Sequence, residues 1–369
     1  MTGMSRPDGI LKLSDSTEDC WEFYNTGKSL DGPAGFKIHV NFSAVDFDRG
    51  KQILLRSYNG RGVEFKICNS AQFCERLNAG YYGVTQVGKA VTIYVSSADR
   101  LLAEVRYLTQ LLVGFTGPCP PTDLRVPQSG TLSYRWAART EPMTRSIGSG
   151  VPSPVQDPLC GHTPVGNPFA ELKKEGVDLI ITASLRQGAK GAVYEGFARG
   201  VPIGTSREFR PIVLKEFRKN AVKSELGHDS WCLGESEIKA YTKAGGDLLP
   251  ELLWHGISNE SMYLLLEAPI GFQTLHDFVK TCGRDDIPDI CVRVRRLVDA
   301  LKDAGIVWLD VSPSNILIDE HREMKAIDFE SFEDETGITY YSLQPLGSPI
   351  TEVDERLEIL REKLLELIE

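Results

Sequence analysis

The sequence has no CxxC pair, no long apolar run and no excess of basic charge, and each absence removes a class of protein. Its eight Cys (20, 68, 74, 119, 160, 232, 282 and 291) are scattered and do not cluster with His. Such spacing gives neither a zinc-ligand set nor a disulfide framework, so reduced thiols are expected. No stretch approaches the length of a membrane span, and the first residues carry no apolar signal core. The expectation is a cytoplasmic protein without a membrane partner. A formal net charge of −10 argues against nucleic acid as the main partner. With 41% hydrophobic and 25% charged residues over 369 positions, the chain has the balance of a globular protein and room for two domains.

The richest stretch is Ile306 to Glu330, IVWLDVSPSNILIDEHREMKAIDFE. Residues 315–318 read as a strand, Asp319 to Glu323 as a turn, and Met324 to Ile327 as the returning strand. That hairpin brings Asn315 and Asp328 to the same end. Asp310 is placed to accept a proton from an attacking hydroxyl, and Asn315 and Asp328 to hold Mg2+ on the phosphates of a nucleotide. An ordinary Asp-rich hairpin explains any one of these residues, but the ordered set of three favours phosphoryl transfer.

The rest of the chain divides around this hairpin. Residues 1–30 are polar and read as an arm, with Trp21 and Phe23 as docking points. Residues 31–140 mix strands (36–42, 62–69 and 90–95) with short helices at 47–57 and 71–77, an α+β pattern. Ser96 to Val113 reads as a helix, because Leu101, Val105, Leu108 and Leu112 share a face. Residues 141–170 lose periodicity and read as a linker. A second pattern of strands and helices follows over 171–350, with helices near 233–244 and 287–304. The end, 351–369, reads as an amphipathic helix with a Thr351/Asp354 capping box and a seam of Val353, Leu357, Leu360, Leu364 and Leu367.

Within 171–350, SLRQGAKGAV carries a glycine turn of the kind that lets backbone N–H groups approach phosphates, through Gly188 and Gly191, with Val193 following. Taken alone, a plain β-hairpin explains it as well. Lys215 lies in a strand whose alternation turns its amine away from Leu214 and Glu216. Glu237 has the helical position to pair with it, and Glu235 is the rival on the same helix. Leu265 to Ala268, including Glu267, end an apolar strand as a hinge for an adenine.

Gly188, Gly191, Lys215, Glu237, the Asp310–Asn315 segment and Asp328-Phe329-Glu330 together resemble the eukaryotic-type protein kinase set in order and spacing. Three positions depart from it. Trp308-Leu309 replaces the His-Arg before the catalytic Asp, Ser312 replaces a Lys, and Glu330 replaces a Gly. DVSPSN followed by DFE resembles the kinase domain of class III and class IV lanthipeptide synthetases.

The strand FKIHVNF (36–42) carries a different chemistry. Period two puts Ile38, Val40 and Phe42 on one face and Lys37, His39 and Asn41 on the other. A solvent-wetted outer face is the plain explanation of K-x-H. A Lys and a His side by side also suit β-elimination from a phosphorylated Ser or Thr. The amine removes the Cα proton and the imidazolium protonates the departing phosphate. The Lys must then be partly neutral near pH 7, and neighbouring cations that lower its pKa also bind the phosphate. Lys66, Lys89, Arg125 and Arg135 are the candidates.

GFKIHV, FKI, LNAGYYGVTQVGKAVTIYV, GPCPPTDLR and SYRW, in this order, resemble the N-terminal lyase domain of the same synthetases, a relative of bacterial phosphothreonine lyases. The resemblance implies Lys37 as base and His39 as acid, with Lys66, Lys89, Arg125 and Arg135 on phosphate. Gly80 and Val84 stand where family members often have basic residues, which implies a difference in phosphate affinity or substrate choice.

The two resemblances together imply a phosphothreonine-lyase-like α+β domain followed by a protein-kinase-like domain. They imply ATP or GTP with Mg2+, and a ribosomal precursor peptide (leader plus Ser/Thr-rich core) as substrate. The expected C-lobe is shortened and the cyclase domain absent, with a separate cyclase or a C-lobe-completing partner supplying the rest. The alternatives are a phosphoSer/phosphoThr lyase with an inactive kinase remnant, and a non-catalytic peptide- or partner-binding module.

Overall fold

A computed structural model describes residues 20–25, 34–138, 157–200, 208–222, 228–330, 332–334, 339–340 and 353–368. The chain divides into two compact units. One is residues 1–166 with 188–190 and 218–227; the other is 167–187, 191–217 and 228–369. Both are α+β with antiparallel sheets. No helix among the described residues is long and apolar enough to cross a membrane.

The first unit runs β1 (Trp21–Tyr24), β2 (Ala34–Val40), α1 (Phe47–Tyr58), β3 (Phe65–Cys68), α2 (Ala71–Asn78), β4 (Val91–Val95), α3 (Ala98–Leu111), β5 (Leu124–Arg125) and β6 (Leu132–Ala138). The sheet order is β1-β3-β4-β2-β6-β5. Alternation puts Phe36, Ile38 and Val40 of β2, Val91, Ile93 and Val95 of β4, and Leu132 and Tyr134 of β6 into one core. Leu54 of α1 and Leu101, Val105 and Leu108 of α3 close that core from the helix side. Ser70 and Ser97 cap α2 and α3, each hydroxyl accepting from the backbone N–H three residues on.

Two expected boundaries move. Residues 21–24, expected in the arm, form β1 and pair with β3, and Trp21 meets Phe73 edge-to-face at 5.2 Å. An aromatic strand that can bury one face is a sheet edge, not a loose tail. The expected linker is ordered in part as well. Arg125 and His162 form a bridge, and Asp157 accepts from Tyr134 Oη and Gly161 N. A Cβ on Gly161 would stand 2.5 Å from that hydroxyl, so only glycine fits the strap there.

The second unit begins with α4 (Pro168–Lys174), inside the expected linker, and continues with β7 (Val177–Gln187), β8 (Gly191–Gly200), β9 (Arg210–Arg218), α5 (Ser230–Ala244), β10 (Leu252–Ser258) and β11 (Ser261–Glu267). These strands form one sheet in the order β10-β11-β9-β8-β7. There follow β12 (Gln273–Thr274), α6 (Leu275–Val279), α7 (Ile287–Asp303), β13 (Ile306–Trp308), β14 (Ile316–Ile318), β15 (Met324–Ala326), β16 (Phe332–Asp334), β17 (Thr339–Tyr340) and α8 (Val353–Glu366). The expected hairpin is β14–β15, with Ile316 opposite Ala326. Its turn is tied by Asp319, whose carboxylate accepts from His321 N and Glu323 N.

The leucine seam of the C-terminal helix is packed into the second unit. Leu360 and Leu364 are fully buried in the core built by α7, Trp308, Ile316 and Phe329, and Leu357 and Leu367 pack on its edge. The side chains of Val353, Thr351 and Asp354, and so the expected capping box, lie outside the described residues. Leu364→Ala is therefore expected to lower the unfolding free energy of the second unit by about 2–5 kcal/mol. A surface helix would change it by less than about 0.5 kcal/mol. Denaturant unfolding at unchanged m-value decides between the two.

Candidate active sites

The first site lies on the face of the first unit's sheet opposite its core. Residues opposite each other in an antiparallel pair project to one side. The registers therefore make a row of Lys66, Thr92, His39, Ser133 and Arg125 across β3, β4, β2, β6 and β5. A second row holds Tyr94, Lys37 and Arg135. Three of the expected basic residues, Lys66, Arg125 and Arg135, and the expected pair Lys37/His39 thus share one face. Lys89 joins through the turn before β4, where it is 4% exposed.

That turn is built by residues that carry no periodic signal. Gly88 has φ +80°, and a Cβ there would lie 2.0 Å from the Pro118 carbonyl. The Asn78 amide accepts from Gly88 N at 3.2 Å and donates to Phe42 O at 2.8 Å, tying the turn to the end of β2. Lys89 Nζ is then 3.5 Å from Thr122 Oγ1.

Asp123, in the loop before β5, is the residue that the sequence reading missed. Its buried carboxylate bonds His39 Nδ1, accepts from Ser133 Oγ at 3.0 Å, and stands 3.8 Å from Arg135 Nε. Burial opposes its ionisation, but His39, Lys89 and Arg135 outweigh that and bring its pKa down to about 2. Asp123 is therefore a carboxylate at neutral pH, which fixes the imidazole with Nδ1–H toward it and leaves Nε2 for a ligand. The surroundings of His39 in the free protein disfavour its charged form. Burial, helped by Lys89 and Arg135 and opposed by Asp123, pushes His39 down to about 4.

The amines respond to the same surroundings. Burial lowers Lys66 to about 8, with Lys37 and Arg135 adding to the effect, and the Trp21 ring lies 4.0 Å from its Nζ. Burial lowers Lys89 to about 8, assisted by Arg135, Lys66 and Lys37 against Asp123. Lys37 is lowered by burial and by Arg135, and lies 5.8 Å from the Tyr94 ring centre.

Arg125 is placed differently from the other cations. Its guanidinium donates to Gly117 O at 3.0 Å and Gly130 O at 3.3 Å. It also reaches the Asn41 amide oxygen at 3.1 Å in the amide orientation that satisfies both Asn41 atoms. These contacts tie the Gly117 and Gly130 loops to the end of β2.

The second site lies in the second unit. Lys215 sits opposite Val193 in the β8–β9 pair, and its Nζ meets Glu237 Oε1 and Oε2 at 2.7 and 2.9 Å. Glu235, the rival on α5, is exposed, so helix phase selects Glu237. Lys215 Nζ is also 3.8 Å from Asp328 Oδ1. Burial works against its charge, yet Glu237 and Asp328 outweigh that and hold its pKa well above the usual lysine range. The lysine therefore keeps its charge at neutral pH, whereas burial, against the pull of Lys215, pushes the Glu237 carboxyl up to about 8.

Asn315 and Asp328 are brought to one end of the β14–β15 hairpin, where Ile327 N donates to Asn315 O at 2.9 Å. Asn315 Nδ2 donates to Asp310 Oδ2 at 3.0 Å, so its amide oxygen is the atom left for a cation. Asp328 holds φ +67°, a backbone strain of the kind concentrated at functional positions. Glu237, Asp328 and Glu330 can bring one carboxylate oxygen each to within 4.8 Å of the others.

Gly191 has a packing reason to be glycine. A Cβ there would fall 1.6 Å from Glu216 O across the strand pair, whereas nothing lies within 4 Å of one on Gly188. Glu267 closes β11 with its N–H on Glu251 O, and Ala268 N donates to Pro211 O. Residues 345–350 lie outside the described residues.

Residues 8–159 match the family described as RamC, N-terminal domain. The chain is also similar to a probable SapB synthase of Streptomyces coelicolor, at 25% identity over 386 aligned positions. That alignment takes in 91% of this chain and 40% of the relative, so the chain spans well under half of the relative's length.

The Asp123 contact predicts the direction of a titration. Asp123→Asn removes the charge that opposes burial at His39, so the imidazole pKa falls further below about 4. Ring 15N shifts followed against pH measure this, and an upward movement contradicts the assignment.

Proposed function

We propose that the chain is a lanthipeptide-synthetase-type dehydratase. The second unit phosphorylates Ser or Thr of a ribosomal precursor peptide, and the first unit eliminates the phosphate to leave dehydroalanine or dehydrobutyrine. The observation that carries this reading is the sheet face on which Lys37, Lys66, Lys89 and Arg135 surround a His39 held by Asp123. Similarity to a synthase and to the RamC N-terminal domain supports a role in making a modified peptide. The precursor, with its leader and Ser/Thr-rich core, is the substrate under this reading.

In the elimination, a neutral lysine amine takes the Cα proton. The electron pair left on Cα forms the Cα–Cβ double bond as the Cβ–O bond breaks, and the phosphate leaves with that bond's electrons. A phosphate dianion beside His39 Nε2 raises the pKa that burial has lowered, so the bound substrate charges the acid that it needs. Arg135 and Lys89 offset the dianion's charge.

Lys37 is the base under the family resemblance. Lys66 is a second reading, because it stands in the same cross-strand row as His39 and burial brings its pKa to about 8. In either case the base must lose a proton before it can act. Where Lys66 serves, kcat/KM for elimination from a synthetic phosphopeptide rises with pH and levels off above about 8. A profile flat through that range rules this lysine out. Substituting the true base by Ala lowers kcat by about 10²–10⁴-fold, whereas loss of a phosphate-gripping lysine raises KM with kcat retained.

In the second unit Asp310 accepts the proton of the peptide hydroxyl, and the Lys215–Glu237 pair orients the nucleotide, ATP or GTP. Gly191 and Val193 at the start of β8 and the segment at Glu267 supply the remaining nucleotide contacts under this reading. The oxygen donors of Asn315 and Asp328 suit a hard cation that keeps several waters, which fits Mg2+. When bound, Mg2+ neutralises charge developing on the transferred phosphoryl group.

Precursor peptide incubated with nucleotide and Mg2+ should lose one water per modified residue by mass spectrometry. Asp310→Asn should abolish both phosphorylation and dehydration of that peptide while leaving elimination from a synthetic phosphopeptide intact. Elimination from the phosphopeptide with no phosphorylation by the unaltered chain would reduce the function to that of a lyase.

A further inference from the structure

Asp310 is exposed and lies in an irregular stretch between β13 and the 3-10 turn Pro313–Asn315. Its position depends on what anchors the two ends of that stretch. At the leading end, Arg356 of α8 donates from Nη1 to the Trp308 carbonyl at 2.6 Å. Arg356 is only 8% exposed. At the far end, α8 packs on the Pro313–Asn315 turn itself as well as on α7.

A buried guanidinium on a backbone carbonyl is a costly way to seat a helix. Leu360 and Leu364, both fully buried, already give α8 an apolar seam against the core. Taking a guanidinium out of water is unfavourable unless its hydrogen bonds are made, and the bond to Trp308 O is a short, charge-assisted one. Its target is specific as well. Trp308 stacks on Phe329 with ring centres 5.6 Å apart, and the Phe329 carbonyl receives Ser236 Oγ of α5 at 2.9 Å. The carbonyl that Arg356 holds thus belongs to the residue that links the approach to Asp310 with the residue after Asp328.

We propose that Arg356 is a positioning residue for Asp310, and that α8 is the brace that holds the catalytic stretch 309–315 in register with Asp328. The inference rests on the phosphoryl-transfer reading for its kinetic consequence, but not for its structural one. Arg356 touches neither nucleotide nor peptide in this role; it acts through the Trp308 carbonyl.

Two variants of the full chain test it. Arg356→Met keeps an apolar stem and removes the donor, and Arg356→Lys keeps the charge with a single shorter donor arm. With Met, kcat for peptide phosphorylation should fall by roughly ten- to hundredfold, the worth of one charge-assisted hydrogen bond transmitted in full. KM for the nucleotide should stay unchanged, and Lys should restore part of kcat. Hydrogen exchange provides a readout independent of turnover. Amides of 306–316 should lose protection in Arg356→Met while those of β9 and β11 keep theirs.

Unchanged protection of 306–316 overturns the proposal whether or not the unaltered chain phosphorylates peptide. Uniform loss across the second unit also overturns it, because Arg356 would then hold the whole unit. Local loss with unchanged kcat does the same. Local loss in a chain that never phosphorylates leaves the brace standing and removes the phosphoryl-transfer reading instead.

Discussion

Cations gathered on one face of a sheet repel one another and resist burial, and the Asp123 carboxylate is the constraint that makes the gathering possible. It is fully inside the first unit, bonded to His39 and Ser133 and close to Arg135. Lowering Lys66 or Lys89 from 10.5 to about 8 represents on the order of 3 kcal/mol of disfavoured charge for each lysine. The unfolded chain binds the proton more tightly, so this contribution to stability falls as pH drops from 10.5 to 8 and stays low below that. An anion with two charges, placed among these groups, relieves the same penalty. The face is thus built at a cost to the free protein that a phosphorylated ligand offsets.

The site in the second unit solves the opposite problem. Lys215 is buried with two carboxylates, Glu237 and Asp328, so its charge is retained and its position is fixed by a two-oxygen contact. One unit makes lysines easier to deprotonate and the other prevents it. That difference follows the chemistry proposed for each, since a base must give up its proton and a phosphate-orienting lysine must not.

The parts of both sites that sit on regular elements were legible in the sequence. Period two in β2 separates Lys37 and His39 from Ile38 and Val40, and helix phase on α5 turns Glu237 inward while Glu235 faces solvent. Asp123, Asn78 and Gly88 were not, because they lie in turns or at a helix end, where no period marks a facing direction. Arg125 and Gly191 carry a packing role that the sequence does not show. A cation or glycine in a motif looks like a ligand-binding residue, yet here each has a backbone neighbour close enough to explain it. Strand β1 was hidden by its polar flanks, though Trp21 and Phe23 had marked it as a docking segment.

The brace on Trp308 shows why the C-terminal helix was the hardest element to place. Its leucine spacing fits a surface helix, a coiled-coil seam and a core helix equally well, because all three bury one stripe. What separates them is Arg356, which a seam facing water or a partner would have no reason to bury against a carbonyl of its own chain. That side chain sits one position before Leu357 on the helix, so it reaches β13 only if the leucine stripe is already seated against Trp308 and Phe329. The apolar seam and the polar contact therefore require each other. Their shared partner is the residue that leads into Asp310, which ties the packing of the last described helix to the geometry of the site proposed for phosphoryl transfer.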